Sequence, residues 1–211
     1  YDRFADGSQG TLKSIGAYWA LWTDILEPEE LKRFVAHLSD PKTFARKHPI
    51  PSIPADHEKY QADGRYWQGG VWAPTNYMVI AGLKNKGFGD LSFELAKKHH
   101  QQVQEVFKNT GTFFEYYAPE STEPGFLARK EFIGWTGLVP VSIMFECIFG
   151  ITSNLQDNVI NWDVRLLEEH GIDRYPIGKD GLLSLRCGTR NSVKQKPELV
   201  IESNVPMKLK L

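Results

Sequence analysis

The 211 residues are short of several things, and each shortage removes a class of function. An excess of one charge is missing: 25 Lys and Arg stand against 26 Asp and Glu, a formal net charge of −1. Without a basic footprint, no nucleic-acid partner is expected. Long apolar runs are missing too. The most apolar window, "FIGWTGLVPVSIMFECIFG", is interrupted by Pro140 and Glu146. It lacks the roughly 18 to 20 continuous apolar residues of a bilayer span, so it reads as a buried core helix and no membrane partner is expected. Two cysteines, Cys147 and Cys187, make no disulfide framework and leave the redox compartment open. A periplasmic or secreted location is preferred to a cytoplasmic one, without a residue that decides it. Nucleotide-binding glycine fingerprints and zinc-type Cys/His spacings are absent, so neither a cofactor nor a metal is expected. No secretory leader is visible, and the chain opens on Tyr1 rather than Met, which reads as a piece of something longer.

What is present is apolar bulk in a helical rhythm. With 41% hydrophobic residues the chain can bury a substantial core. "TLKSIGAYWALWTDIL" places Leu12, Ile15, Trp19, Trp22 and Leu26 near helical spacing, and "PEELKRFVAHL" does the same with Leu31, Phe34, Val35 and Leu38. "DPKTFARKH" predicts a short helix. "PTNYMVIAGLKNKG" predicts another that stops at Gly87, and "DLSFELAKKHHQQVQEVFKNTG" a long one with Asp90 as N-cap and Gly111 as terminator. His99 and His100 fall on what reads as its solvated face. A last helix is expected over 134–149. Beyond Gly150, "NVINWDVRL", "GLLSLRCG", "ELVIES" and "MKLKL" are short β-like runs separated by turn residues.

Three loops between these helices concentrate aromatics, glycine and polar groups. In "GRYWQGGVWAPTNY", Trp67 and Trp72 bracket Gln68, Gly69 and Gly70, and glycine permits close backbone approach to a ligand. "TGTFFEYYAPE" sets one carboxylate, Glu115, among Phe113, Phe114, Tyr116 and Tyr117. "EFIGWTG" carries Trp135 at a helix mouth with Thr136 beside it. Flat aromatic faces suit the C–H faces of sugar rings, while Gln, Glu, Arg and Thr bond hydroxyls. The bland alternative is that these rings fill the core, as large aromatics do everywhere.

The order and intervals of "GRYWQGGVWAPTNYMVIAGL", "TGTFFEYYAPESTEPG" and "FIGWTG" resemble the C-terminal half of a glycoside hydrolase catalytic domain, over roughly residues 1–150. The group holds processing α-glucosidase I, bacterial mannosylglycerate hydrolases and, more distantly, the trehalases. The Trp67-to-Trp72 spacing is similar to the glucosidase branch, and "WAP" at Trp72–Pro74 to trehalase. Gln68 departs from the basic residue found there in the glucosidases.

The resemblance implies a mainly α chain: half of an (α/α)6 toroid over 1–150, with a small β-rich subdomain over 151–211 packed on it. It implies an inverting, exo-acting hydrolase of α-linked glucosides or related small oligosaccharides, with Glu115 as general base. Trp67, Gln68, Gly69, Trp72 and Trp135 would line the sugar subsite, walled by Phe114 and Tyr116. Arg65 would touch a hydroxyl or brace its loop, and Glu131 would bond a hydroxyl or orient the water. The general acid is expected on an earlier loop, because Asp2, Asp6, Asp24, Asp40, Asp56 and Asp63 all lie in other contexts. Five or six helices fall short of the toroid's twelve, so the expected partners are a glycoside substrate and a preceding N-terminal part of the same polypeptide. The rival reading is a non-catalytic carbohydrate-binding protein on the same toroid. A phosphorylase or epimerase is disfavoured because His48, His57, His99 and His100 do not sit suitably.

Overall fold

A computed structural model describes residues 3–154 and 156–211. The chain divides between Ile143 and Met144 into two compact units.

The expected class, mainly α with half of an (α/α)6 toroid, is corrected: the chain mixes helix and sheet. Among the described residues there are three α-helices, α1 (Pro28–Ala36), α2 (Ala73–Asn85) and α3 (Gly89–Thr110), and eight strands in three sheets. The causes are local. Prolines and glycines hold long stretches between the helices irregular, and the alternating runs after Gly150 all become strands.

In the first unit the helix expected from Thr11 to Leu26 is a 3-10 helix, Ile15–Trp22. Its buried residues, Ile15, Tyr18 and Leu21, recur every third position, which suits three residues per turn. Trp19 therefore faces outward, contrary to expectation, and Trp22 is only half covered at the edge of the packed face. This helix packs closely on α2. A Cβ on Gly82 would stand 2.8 Å from that of Leu21, and the Trp22 indole N–H donates to the Met78 carbonyl at 2.9 Å. α1 begins with Pro28 behind a reciprocal capping box of Glu27 and Glu30.

"DPKTFARKH" forms turns rather than a helix. The Thr43 hydroxyl donates to the His37 carbonyl at 2.6 Å, and Phe44 turns into the core. α3 is amphipathic, burying Leu95, Ala96, His99, Val103 and Val106. Its first turn carries Asp90, one residue inside the helix rather than at its cap, and Gly111 ends it in the left-handed conformation at φ 75°. The window 134–149 holds a 3-10 turn (Thr136–Leu138) and a π-helix (Val139–Ile148).

In the second unit β3 (Ile151–Asn154), β4 (Val159–Trp162) and β8 (Lys208–Lys210) form one sheet, with β4 and β8 parallel. β5 (His170–Ile177), β6 (Gly181–Cys187) and β7 (Leu199–Ser203) form an antiparallel meander. Leu183, Leu185 and Cys187 point inward from alternate positions of β6 and meet Ile151, Ile160, Trp162 and Ile177. Buried Arg190 ties the irregular connection together, its guanidinium donating to the carbonyls of Val164 at 2.7 Å and Leu166 at 3.1 Å.

Candidate active site

The three aromatic loops converge in the first unit. Val71–Trp72, the strand β1, pairs antiparallel with Tyr116–Tyr117, the strand β2, so that Trp72 lies opposite Tyr116. Glu115 stands immediately before β2. The third loop joins through Thr136, whose buried hydroxyl donates to the Phe114 carbonyl at 2.6 Å. Two-residue strands are weak alone, and side chains reinforce these. Asn76, fully buried, exchanges bonds of 3.1 Å with the Ile50 backbone N–H and C=O and donates to the Trp72 carbonyl at 3.0 Å. Ser52 accepts from the Gly69 amide at 3.0 Å.

Around the ribbon the rings stack in sequence. Tyr116 lies on Trp72 with centroids 4.6 Å apart, and Trp72 lies on Trp67 at 4.3 Å and 9°. Trp135 meets Trp72 edge-on at 6.1 Å, and Tyr66 meets it edge-on at 5.0 Å. Trp72 is 1% exposed and internal to the stack, whereas Trp67 is 41% exposed and Trp135 47%. Of the expected sugar-facing tryptophans, two therefore offer a face to solvent and one supports them. Tyr116 is supporting as well: its hydroxyl donates to the Phe126 carbonyl at 2.8 Å. Burial, then the charge of Glu115, raises its phenol above the ordinary value.

Glu115 is half-buried, and among the described residues its carboxylate accepts no hydrogen bond, leaving both oxygens for water or ligand. A Cβ on Gly134 would stand 3.0 Å from the Glu115 Cγ, so the third loop lies directly against this side chain. Phe114 is buried below it.

The remaining expected residues are more dispersed in role. Gly69, at φ 112°, is buried and packs so closely that a Cβ would meet the Gln61 carbonyl at 2.6 Å; its role is backbone approach within the protein. Gln68 is exposed at the loop tip. Arg65 pairs with Asp63 at 3.1 Å and lies over the Phe126 ring at 4.3 Å, a brace for its loop. Glu131 is exposed, with a left-handed backbone at φ 66°.

Several residues escaped the sequence reading. Glu120, read as solvated, accepts from Arg46 and from the Tyr60 hydroxyl, each at 2.5 Å. Burial pushes its carboxyl up, but those two donors outweigh that and hold it below the usual range. His99, read as solvent-facing, is fully buried and bonds His48 at 2.7 Å. The period of α3 carried that signal, since His99 lies four residues before Val103 and four after Leu95. The closeness of Gly134 to Glu115 had no such signal, because it depends on which loops meet.

Comparison with known proteins identifies the family of the first unit. Residues 3–136 match the model of the mannosylglycerate hydrolase MGH1-like glycoside hydrolase domain. An uncharacterized protein of Borreliella burgdorferi is 24% identical over 180 residues, covering 80% of this chain and 38% of that protein. Mannosylglycerate hydrolase MGH1 of Selaginella moellendorffii is 36% identical over 97 residues, 46% of this chain and 18% of its own. The chain thus spans well under half the length of these relatives. The crystal structure of a GH63 mannosylglycerate hydrolase from Thermus thermophilus in complex with glucose superposes with a TM-score of 0.51 at 19% identity, over 66% of this chain and 32% of that one, a likeness of fold. With the family's model matched over 134 consecutive residues, from position 3 to position 136, and the three motif loops gathered within that span, the chain belongs to the MGH1-like glycoside hydrolase domain family.

Proposed function

We propose that this chain is the base-bearing part of an inverting, exo-acting glycoside hydrolase that acts on small α-linked glycosides, with mannosylglycerate and α-glucosides as the first substrates to try. The observation that carries the reading is the meeting of three loops around one carboxylate. The β1–β2 ribbon and the Thr136 bond bring Trp67, Trp72, Trp135 and Glu115 together, and Gly134 lies against the Glu115 side chain.

Glu115 accepts a proton from a water whose oxygen bonds the anomeric carbon as the glycosidic C–O bond breaks. A carboxylic acid about 6.5 to 9.5 Å from the base protonates the leaving oxygen, and the product anomer is inverted. That acid is assigned to no residue of this chain; the carboxylate of Asp63 is already paired with Arg65. A base that takes a proton from water must be ionised and unencumbered, which suits a carboxylate without internal donors. The exposed indoles of Trp67 and Trp135 supply the apolar faces a sugar ring needs, beside polar groups at the loop tips.

The test uses the complete polypeptide that contains this chain. Mannosylglycerate and a panel of α-linked disaccharides are supplied, and the first-formed anomer is followed by NMR. Inverted product from the wild type is expected. Glu115→Gln should lower kcat by about three orders of magnitude or more, within the reach of general-base and orientation effects together, while sugar binding persists. Near-wild-type turnover by that variant would refute the assignment.

A further inference from the structure

The residue that precedes Glu115 is held on both sides of its backbone by buried hydroxyls from different parts of the site. The Phe114 amide donates to the Tyr117 phenolic oxygen at 3.1 Å, and the Phe114 carbonyl accepts from the Thr136 hydroxyl at 2.6 Å. The same Thr136 hydroxyl lies 3.3 Å from the Glu115 carbonyl. Tyr117 and Thr136 are both fully buried. Buried backbone groups normally find partners in secondary structure. Here, next to a two-residue strand, side chains do that work. Tyr117 lies in the ribbon that carries the aromatic stack, and Thr136 follows Gly134 and Trp135, so each hydroxyl links Glu115 to a different sugar-facing wall.

From this geometry we infer that Tyr117 and Thr136 are positioning residues for Glu115. Thr136 fixes the Phe114–Glu115 peptide and Tyr117 the Phe113–Phe114 peptide before it, and together they set the direction of the Glu115 carboxylate relative to Trp67 and Trp135. The inference rests on the reading of Glu115 as the base and adds what orients it. Rotation of the backbone about Phe114 would swing the carboxylate without removing any group that touches the sugar. Gly134 closes the arrangement from the other side, since its missing Cβ leaves just enough room for the Glu115 methylenes.

Steady-state kinetics of the complete polypeptide on mannosylglycerate, or on whichever α-disaccharide of the panel is turned over, test this. Thr136→Val keeps the volume and removes the donor. It should lower kcat about 10- to 100-fold, the scale of a small misplacement of a reacting group. KM should stay within about threefold, because sugar contacts are untouched. Thr136→Ser should restore most of kcat. Tyr117→Phe, which frees the preceding peptide on the other side of Phe114, should show the same split of kcat from KM and serves if the Val variant fails to fold. Equal loss in the Val and Ser variants, or undiminished kcat in Thr136→Val and Tyr117→Phe, overturns the positioning role. Glu115→Gln run in parallel separates the two claims. If that variant is inactive while Thr136→Val is not impaired, only the positioning fails; if it is active, the base assignment fails with it.

Discussion

At the scale of single residues, chemically identical side chains have different work. Trp67 and Trp72 lie five positions apart in one loop and stack face to face, yet one is outermost and the other enclosed. Trp72→Ala should cost about 3 to 5 kcal/mol of stability, measured by urea unfolding, because it empties the middle of a packed stack. Trp67→Ala should leave stability nearly intact. It should weaken sugar binding by about 0.5 to 1.5 kcal/mol, the worth of one aromatic contact, which is about tenfold in KM at most.

The sequence made the aromatic loops legible but not this division of labour. Residue type and local spacing are the same for both tryptophans, and what separates them is the register that sets Trp72 opposite Tyr116. Glu115 is conspicuous in the sequence as a carboxylate among four rings, and the fold leaves it half-buried with Gly134 against it. The hydroxyls that hold the backbone on either side of Phe114 carry no such local signal, since Thr136 reaches the Phe114 carbonyl from 22 positions away.

At the scale of elements, α3 is joined to the chain before α2 through the His48–His99 contact. The His48 ring also lies 5.4 Å from Tyr117, and its amide donates to the Pro119 carbonyl at 2.8 Å. Burial, then the neighbouring His100, pushes His99 down to about 3; burial, then His99, pushes His48 well below its usual value. Both are neutral when folded and titrate near 6.5 when unfolded. The unfolded chain therefore binds more protons below that pH. The stability that the neutral rings carry is fully present above about pH 6.5 and is lost as pH falls below it, for His99 down to about pH 3, with His48 acting in the same direction. Melting curves between pH 7.5 and pH 4.5 check this. His99→Leu should flatten the slope, and an unchanged slope would contradict it.

Element boundaries were readable where a proline or glycine enforced them, as at Pro28 and Gly111. The kind of helix was not readable at 15–22. There the buried positions recur by three, and the exposed tryptophans disguised that period. Of the strands after Gly150, β4, β6, β7 and β8 were readable, most plainly β6 from its alternation, whereas β3 and β5 were not, the latter holding Gly171, Asp173 and Pro176.

At the scale of the whole molecule, charge and exposed apolar surface combine. The chain carries a net charge of −1 with a pI near 6.7, so little electrostatic repulsion keeps copies apart near neutral pH. The first unit also exposes Trp19, Trp22 and Ile25 within seven consecutive residues, with Ile25 72% exposed. Self-association of this chain near neutral pH is the expected outcome, seen as concentration-dependent light scattering. Trp19→Lys combined with Ile25→Lys should suppress it while leaving the melting temperature close to the parent value, since neither side chain belongs to the core. Scattering that the double variant leaves unchanged would place the sticky surface elsewhere.

The overlapped indoles at 67 and 72 have an optical consequence. Two such rings in van der Waals contact do not absorb and emit independently, so the pair behaves as one coupled chromophore beside the chain's four other tryptophans. A saccharide that settled on the outer ring, as proposed, would strip water from one side of that chromophore. The site carries its own dye, and occupancy can be followed by fluorescence in the unlabelled protein even where turnover has been abolished.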